Sequence, residues 1–158
     1  MNNQWLETAR DILANNIYMC LSTVDGTRPW VSPVYFSFDE HLTFYFVSEP
    51  TSDHVRFLLA NPEVALAIYD SRQPPYTGEG VWVEGQAFPV SAEEQPMVLE
   101  NYCHRPHPAN IEQGTTGLPS IDLLSKTCLR WFKVIPRHVY VRDAAVFDRD
   151  RRREVPLP

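Results

Sequence analysis

The sequence predicts a mainly β domain, an antiparallel barrel of roughly six or seven short strands with a few helices packed against it. Short segments from residue 18 onward alternate apolar and polar side chains with the period of two that is typical of strands. Turn formers separate these segments, beginning with Asp25 and Gly26, a dipeptide that favours a hairpin. Helical patterns do not alternate regularly with the strands, which argues for antiparallel rather than parallel pairing.

The composition excludes several classes of protein. The 158 residues suffice for one domain with its own core, and 22% charged with 44% hydrophobic residues is ordinary for a globular chain. A disordered chain, a coiled coil and a fibre are therefore excluded. With 14 Lys and Arg against 20 Asp and Glu, the net charge is -6, which argues against nucleic acid as a general partner.

The cysteines and the N-terminus indicate a cytoplasmic protein. Cys20, Cys103 and Cys128 are far apart and form no C-x-x-C pair, as expected in a reducing compartment. Residues 1–10 are polar where a signal peptide would be apolar, and no run approaches the roughly 18 apolar residues of a membrane span. We therefore expect neither a disulfide framework nor a membrane partner.

The first third of the chain predicts one helix and three strands. Apolar residues recur at helical spacing over residues 5–15 and predict an amphipathic helix. Strands are predicted over residues 18–24, 28–38 and 42–48, and the short turns between them favour a meander. Pro33 has no N–H and therefore indicates a bulge or an unpaired edge in the second strand.

The pattern changes after residue 48. Ser52 is a suitable N-cap for a helix that Asn61, followed by a proline, would end. Strands are then predicted over residues 63–70 and 81–90. Gly85, in the middle of the second of these, indicates a bulge or a close approach of another backbone.

A third helix and a long loop follow. Ser91 and Glu94 have capping-box spacing for a helix that runs toward Cys103, while Pro96 favours a start closer to itself. Residues 105–119 contain three prolines and two glycines, which predicts a surface loop.

The last part of the chain predicts two more strands and a tail. Residues 121–124 favour a short helix, and residues 130–135 and 138–142 favour strands. The chain thus reads as a single domain with the barrel over residues 17–143. We expect residues 144–158 to form a loose tail, because residues 148–158 are charged and end in Pro-Leu-Pro.

Most familiar catalytic motifs are missing. The sequence has no G-x-S-x-G, no G-x-x-x-x-G-K-[ST] and no G-x-G-x-x-G, which disfavours a serine hydrolase, a P-loop and a dinucleotide fold. Cys103, His104 and His107 carry zinc or copper ligand types within five residues. Their spacing matches no common zinc pattern, so we favour an ordinary helix end over a metal site.

One segment favours phosphate binding. A strand ends at Ser48, and a helix begins four residues later at Ser52, with His54 and Arg56 in its first turns. A helix N-terminus carries free N–H groups and about half a positive charge, which suits a phosphate. Hydroxyls at Ser48, Thr51 and Ser52 would add donors. The alternative is an ordinary serine-capped helix.

The ordered set of segments resembles the pyridoxamine 5'-phosphate oxidase-like split-barrel family, over about residues 12–143. The resemblance implies a Greek-key-like split β-barrel of six or seven strands, and a homodimer with flavin mononucleotide (FMN) sites at its interface. The segments that carry it are Cys20-Leu-Ser-Thr-Val-Asp-Gly, Pro29-Trp-Val-Ser-Pro-Val-Tyr-Phe, Phe44-Tyr-Phe-Val-Ser, Ser52 with Leu58, Asn61-Pro-Glu-Val-Ala and Val83-Glu-Gly-Gln-Ala.

The same resemblance implies contacts with the isoalloxazine ring. Five consecutive residues of the second strand would run their backbone along it: Trp30, Val31, Ser32, Pro33 and Val34. Two tryptophans of the partner subunit, equivalent to Trp82 and Trp131 of this chain, would reach the ring from the other side.

It also implies contacts with the ribityl phosphate. Val47 and Ser48 would contact the ribityl phosphate at the end of the third strand, and Ser52 and His54 would hold the phosphate. Flavin-binding members often carry a basic pair at this helix start, where this chain has Asp53 and His54. Asp53 would repel a phosphate, and a histidine is largely neutral at pH 7.

The resemblance therefore implies an FMN-binding oxidoreductase that acts on an unidentified small-molecule substrate. Deazaflavin is an alternative cofactor in the same site. A haem-binding split barrel is a second alternative, with His54, His104, His107 or His138 as axial ligand. A third is a cofactor-free stress or interaction protein that has lost the site, for which Asp53 is the main argument.

Overall fold

The computed structural model describes residues 4–105, 128–143 and 151–158. The helices and strands follow one another in the chain as α1 (Gln4–Ala14), β1 (Tyr18–Val24), β2 (Pro29–Tyr35), β3 (Ser37–Phe38), β4 (Phe44–Ser48), α2 (Asp53–Ala60), β5 (Glu63–Tyr69), β6 (Gly80–Pro89), α3 (Gln95–His104), β7 (Arg130–Arg142) and β8 (Arg152–Glu154).

The strands form one antiparallel, curled sheet, the split barrel that the sequence predicts. The strand order is β2-β1-β5-β6-β7-β4-β3, and β8 pairs with β7. The inner face packs a continuous apolar core, whose largest fully buried side chains include Phe36, Phe44 and Phe46. No helix in these residues is long and apolar enough to cross a membrane.

Several local predictions are confirmed. Asp25 accepts backbone hydrogen bonds from Thr27 and Arg28 in the β1–β2 turn, and β2 is an edge strand, as Pro33 indicates. The β6–β7 register shifts between Glu84 and Gly85. A Cβ added to Gly85 would lie 2.4 Å from the Ile135 carbonyl oxygen, so another backbone does approach closely there.

The predicted meander is wrong. The strand expected over residues 28–38 divides at the fully buried Phe36, because the chain leaves β1 there and β3 pairs with β4 instead. The next strand begins at Phe44, after Leu42 adopts a φ of 60° in the turn, and its other neighbour is β7. Alternation of side chains fixed the face of each strand but not its neighbour.

The C-terminal predictions also need correction. The two strands expected after residue 130 are one continuous strand, β7, which passes Pro136 opposite the bulge. The described part of the predicted loose tail is docked, because β8 pairs with β7 and Val155 is 2% exposed. The Val155 N–H donates to the Val139 carbonyl at 2.8 Å. The loop and helix expected over residues 106–127 lie outside the described residues.

Candidate cofactor site

The open side of the barrel lies between β2, at one end of the strand order, and β4, near the other end. His54, in the first turn of α2, lies across this opening. Its Nδ1 is 3.2 Å from the Ser32 Oγ on β2, and its Nε2 is 2.8 Å from the Ser48 Oγ on β4. One imidazole therefore connects the two edges of the opening by hydrogen bonds.

Two more polar side chains complete this cluster. The Ser52 Oγ is 3.3 Å from the His54 Nε2, and the Trp30 indole N–H donates to the Ser32 Oγ at 3.1 Å. Ser52 is the N-cap residue of α2, but its hydroxyl donates to the Glu49 carbonyl and makes no capping bond. The first amide N–H groups of α2 thus remain available to an external acceptor.

The histidine at the centre of the site is held neutral. Burial lowers the pKa of His54, and the negative charge of Asp53 opposes this shift with a smaller effect. The Asp53 carboxylate is itself paired, because its Oδ1 lies 3.2 Å from the Arg56 Nη1. Hydroxyls, an imidazole and helix N–H groups suit a phosphate, so the donor set fits the phosphate end of a flavin nucleotide, with neutral donors in place of cations.

The predicted ring-contact residues occupy both faces of β2. Trp30 is 41% and Val31 59% exposed, and Pro33 is exposed on the outer face with Val31. Val34, by contrast, is 8% exposed and belongs to the core. Only its backbone is placed to meet a ligand.

The other predicted residues on β4 and β7 lie together. Val47 is directly opposite Trp131 in the β4–β7 pair, one residue before Ser48. The Trp131 ring makes an edge-to-face contact with Tyr102, their centroids 4.9 Å apart. The Trp131 side chain packs with Tyr45 and α3 on the face of the β4–β7 pair opposite to that of Ser48, so within one chain it is not part of the His54 cluster.

Within one chain, Trp82 lies far from the His54 cluster. The paired positions Pro33, Cys20, Ala67 and Trp82 form one row across β2, β1, β5 and β6. Three strand spacings separate its ends, which is about 14 Å. The Arg152 guanidinium lies over the Trp82 ring, 4.5 Å from its centroid.

Two residues near the site were missed. Phe46 on β4 has its ring centroid 6.5 Å from that of His54, and Arg130 on β7 is directly opposite Ser48. The alternating pattern of β4 could have identified Phe46 as the inner-face residue before Ser48. Nothing local in the sequence signals Arg130, because only the pairing of β4 with β7 brings it there.

The other described histidines have partners elsewhere. The His104 Nδ1 is 2.9 Å from the Glu100 carbonyl oxygen, and the His138 Nδ1 is 2.8 Å from the Glu154 Oε1. Within the described ranges, no group of three or more His, Cys, Asp or Glu side chains could hold a metal ion. His107, part of the weak metal motif, lies outside those ranges.

The family model of pyridoxamine 5'-phosphate oxidase matches residues 6–134, most of the chain. The chain belongs to this family. The match extends from α1 into β7 and includes the whole His54 cluster. A comparison with curated proteins gave no match.

Solved structures similar to this chain include a haem storage protein, a FAD-binding protein and a stress protein. HutZ, the haem storage protein of Vibrio cholerae, is 18% identical, with a TM-score of 0.66 over 89% of this chain and 95% of its own. A FAD-binding protein of Mesorhizobium loti is 17% identical, with a TM-score of 0.61 over 84% and 90%. General Stress Protein 26 of Bacillus anthracis is 17% identical, with a TM-score of 0.59 over 94% and 96%. At these identities the likeness establishes the shared fold.

Proposed function

We propose that this chain is an FMN-binding oxidoreductase that acts on a small molecule. The observation that carries the proposal is the convergence of three serine hydroxyls, those of Ser32, Ser48 and Ser52, on the His54 imidazole at the start of α2. In this proposal the phosphate binds at Ser48, Ser52 and His54, and the isoalloxazine ring lies along β2.

The phosphate end is supported by the unused donors of α2. The Ser52 hydroxyl turns to the Glu49 carbonyl and leaves the helix amides uncapped. A phosphate that accepts these N–H groups also meets the positive end of the helix dipole. The neutral His54 then donates from one ring nitrogen, which its serine partners can help to select.

The ring end is supported by the position of β2. It is the last strand in the sheet order, so its outer edge carries backbone N–H and C=O groups that no other described strand uses. These groups suit the alternating donors and acceptors of a flavin ring. The half-exposed Trp30 offers an indole plane beside them. Bound FMN would supply the electron-transfer chemistry, while the protein positions it and limits the access of water.

A second copy of the chain is part of the proposal. The outer face of the sheet exposes apolar side chains, with Tyr18 60%, Val31 59% and Tyr69 54% exposed. Small residues lie between them, among them Ala65 opposite Ser22 on the neighbouring strand. An exposed apolar face of this kind is typical of an interface between subunits. Such a dimer would bring the partner's tryptophans at positions 82 and 131 to the flavin.

The site favours FMN over haem. An axial histidine needs a ring nitrogen free to bind iron. Both ring nitrogens of His54 are within hydrogen-bonding distance of serine hydroxyls, so haem iron or a phosphate at His54 would each displace one of these contacts. A phosphate can also accept from the serine hydroxyls and from the uncapped N–H groups of α2, whereas haem iron cannot use these donors. A deazaflavin would use the same phosphate donors, and its absorption spectrum distinguishes it from FMN.

The test is flavin retention by the purified protein. FMN is added, unbound flavin is removed by gel filtration, and the absorption spectrum is recorded for wild type, His54→Ala and a control, His41→Ala, whose residue lies on an exposed turn. We expect wild type and the control to retain FMN, and His54→Ala to lose it. A wild-type protein that retains no FMN and gains no thermal stability from it would refute the proposal, and retained haem would favour the alternative.

The dimer is tested separately by sedimentation. We expect a mass of twice the 18.2 kDa of one chain. Ala65→Arg, which places a charge on the outer face, should give monomers that remain folded. A wild-type monomer that nevertheless binds FMN tightly would refute the interface part of the proposal.

A further inference from the structure

We propose that Arg130 is the cation that binds the phosphate at the His54 site, an inference that rests on the proposed FMN function. Arg130 is the first residue of β7 and lies directly opposite Ser48, the last residue of β4. Directly opposed residues of antiparallel strands have their Cβ atoms about 4.5–5.5 Å apart on the same face of the sheet. Ser48 in turn contacts the His54 Nε2 at 2.8 Å.

The other arginines near the site are already paired. Arg56 on α2 forms an ion pair with Asp53 at 3.2 Å. Arg28 lies over the Phe57 ring, 4.9 Å from its centroid, and its Nε is 3.9 Å from the Asp25 carboxylate. Either would have to leave a carboxylate in order to bind a phosphate.

Arg130 has no such competitor among the residues that the structure describes. There, the only hydrogen bond of its side chain is a 3.3 Å contact from Nη1 to the carbonyl of the adjacent Leu129, and it forms no ion pair. It is exposed, while Ser48 beside it is 7% exposed. A guanidinium at the mouth of a buried, neutral donor set can reach an anion there without first breaking an ion pair.

A phosphate monoester would be bound more strongly with such a group. Its charge near pH 7 is about -1.5 to -2, whereas the empty site offers hydroxyls and an imidazole whose pKa is lowered by burial. Arginine binds phosphate through two parallel N–H groups, which adds both attraction and orientation. Arg130 would thereby supply what the helix start lacks, where Asp53 and His54 stand in place of a basic pair.

The experiment compares FMN with riboflavin, which has the same ring system and no phosphate. Dissociation constants are measured by quenching of flavin fluorescence for wild type, Arg130→Gln, Arg130→Lys and the control Arg137→Gln, which removes an exposed arginine of the same strand that pairs with Glu63. We expect Arg130→Gln to weaken FMN binding roughly 10- to 100-fold and riboflavin binding by less than about twofold. Lysine should restore part of the loss, because it keeps the charge but not the paired N–H groups.

Salt adds a second measure of the same contact. Binding of FMN to wild type should weaken between low and high ionic strength, and this dependence should be smaller in Arg130→Gln. If wild type binds FMN and Arg130→Gln binds it equally well, the assignment of Arg130 is wrong while the flavin site stands. An equal loss of FMN and riboflavin would also overturn it. If wild type binds neither flavin, the site and this inference are both refuted.

Discussion

Replacing His54 by alanine should destabilise the protein, because the buried Ser48 hydroxyl depends on the imidazole for its hydrogen bond. Three hydroxyls contact that ring, but two of them keep another partner: Ser32 retains the Trp30 indole N–H and Ser52 retains the Glu49 carbonyl. Ser48 is 7% exposed and its hydroxyl hydrogen bond is the one with His54. The variant therefore leaves one buried hydroxyl without a partner.

The expected loss of stability follows from this one unpaired hydroxyl. An unsatisfied buried polar group costs about 1–3 kcal/mol, so His54→Ala should lower the free energy of unfolding by roughly that amount. Urea denaturation of the ligand-free protein measures it. His41→Ala is the matched control, since that imidazole is 66% exposed on a turn, and its expected change is within about 0.5 kcal/mol.

A double-mutant cycle separates the hydrogen bond from the loss of the ring. Ser48→Ala removes the buried hydroxyl, so His54→Ala introduced on that background should cost about 1 kcal/mol less than it does in wild type. If the two substitutions are additive within about 0.3 kcal/mol, His54 and Ser48 are not coupled. The bridge across the barrel opening would then have no energetic role.

Three further predictions concern stability and are all measured by urea denaturation. Burial lowers the pKa of His54 in the folded state, so below about pH 6.5 the unfolded state binds more protons than the folded state. The free energy of unfolding should therefore be highest above that pH and decrease as the pH falls below it. His54→Gln should make this decrease smaller. Gly85→Ala should cost roughly 1–3 kcal/mol or more, because its Cβ would meet the Ile135 carbonyl oxygen at 2.4 Å; an unchanged stability would contradict the bulge geometry. Val155→Ala should cost about 1–3 kcal/mol, against almost nothing for Leu157→Ala, which is 39% exposed; equal effects would mean that the tail is not docked.

Much of the fold was predictable because local signals determine the strands one at a time. The Asp25 turn, the edge position of Pro33 and the bulge at Gly85 each follow from the chemistry of one or two residues. The neighbour of a strand depends on contacts far away in the sequence. For this reason β4, predicted beside β2 in a meander, pairs with β3 and β7.

The docked tail shows a second limit of prediction from the sequence. β8 consists of two arginines and a glutamate, a composition that predicts a solvated tail. Its pairing with β7 depends on backbone hydrogen bonds, which any residue except proline can make. Arg153 also pairs with Asp143, a carboxylate on a 4% exposed residue, at 2.9 Å. In residues 151–158 the apolar signals are Val155 and Leu157, with a proline between them, which is too little to predict a strand.

The residues of the candidate site also fall into two groups, those that local sequence signals predict and those that only strand pairing or side-chain packing brings there. Ser48, Ser52 and His54 could be identified because they follow one another at a strand end and a helix start, where a phosphate is chemically favoured. Ser32 was proposed only for its backbone, yet its side chain is a partner of His54. Arg130 could not be found at all, because more than 80 residues separate it from Ser48 in the chain and only the pairing of β4 with β7 brings the two together.

The position of the site at the barrel opening links binding to stability. Backbone hydrogen bonds hold most strand pairs together, but side chains connect β2 with β4, through His54 to Ser32 and Ser48. A ligand that engages the same hydroxyls and spans both edges would add contacts where the sheet has fewest. A ligand bound only to the folded state at 100 times its dissociation constant stabilises it by about 2.7 kcal/mol. We therefore expect His54 to stabilise the folded barrel when the site is empty and to bind the phosphate when it is filled. Substitutions of His54 should lower both stability and affinity for FMN. Substitutions of Arg130, which is not part of the core, should lower affinity alone.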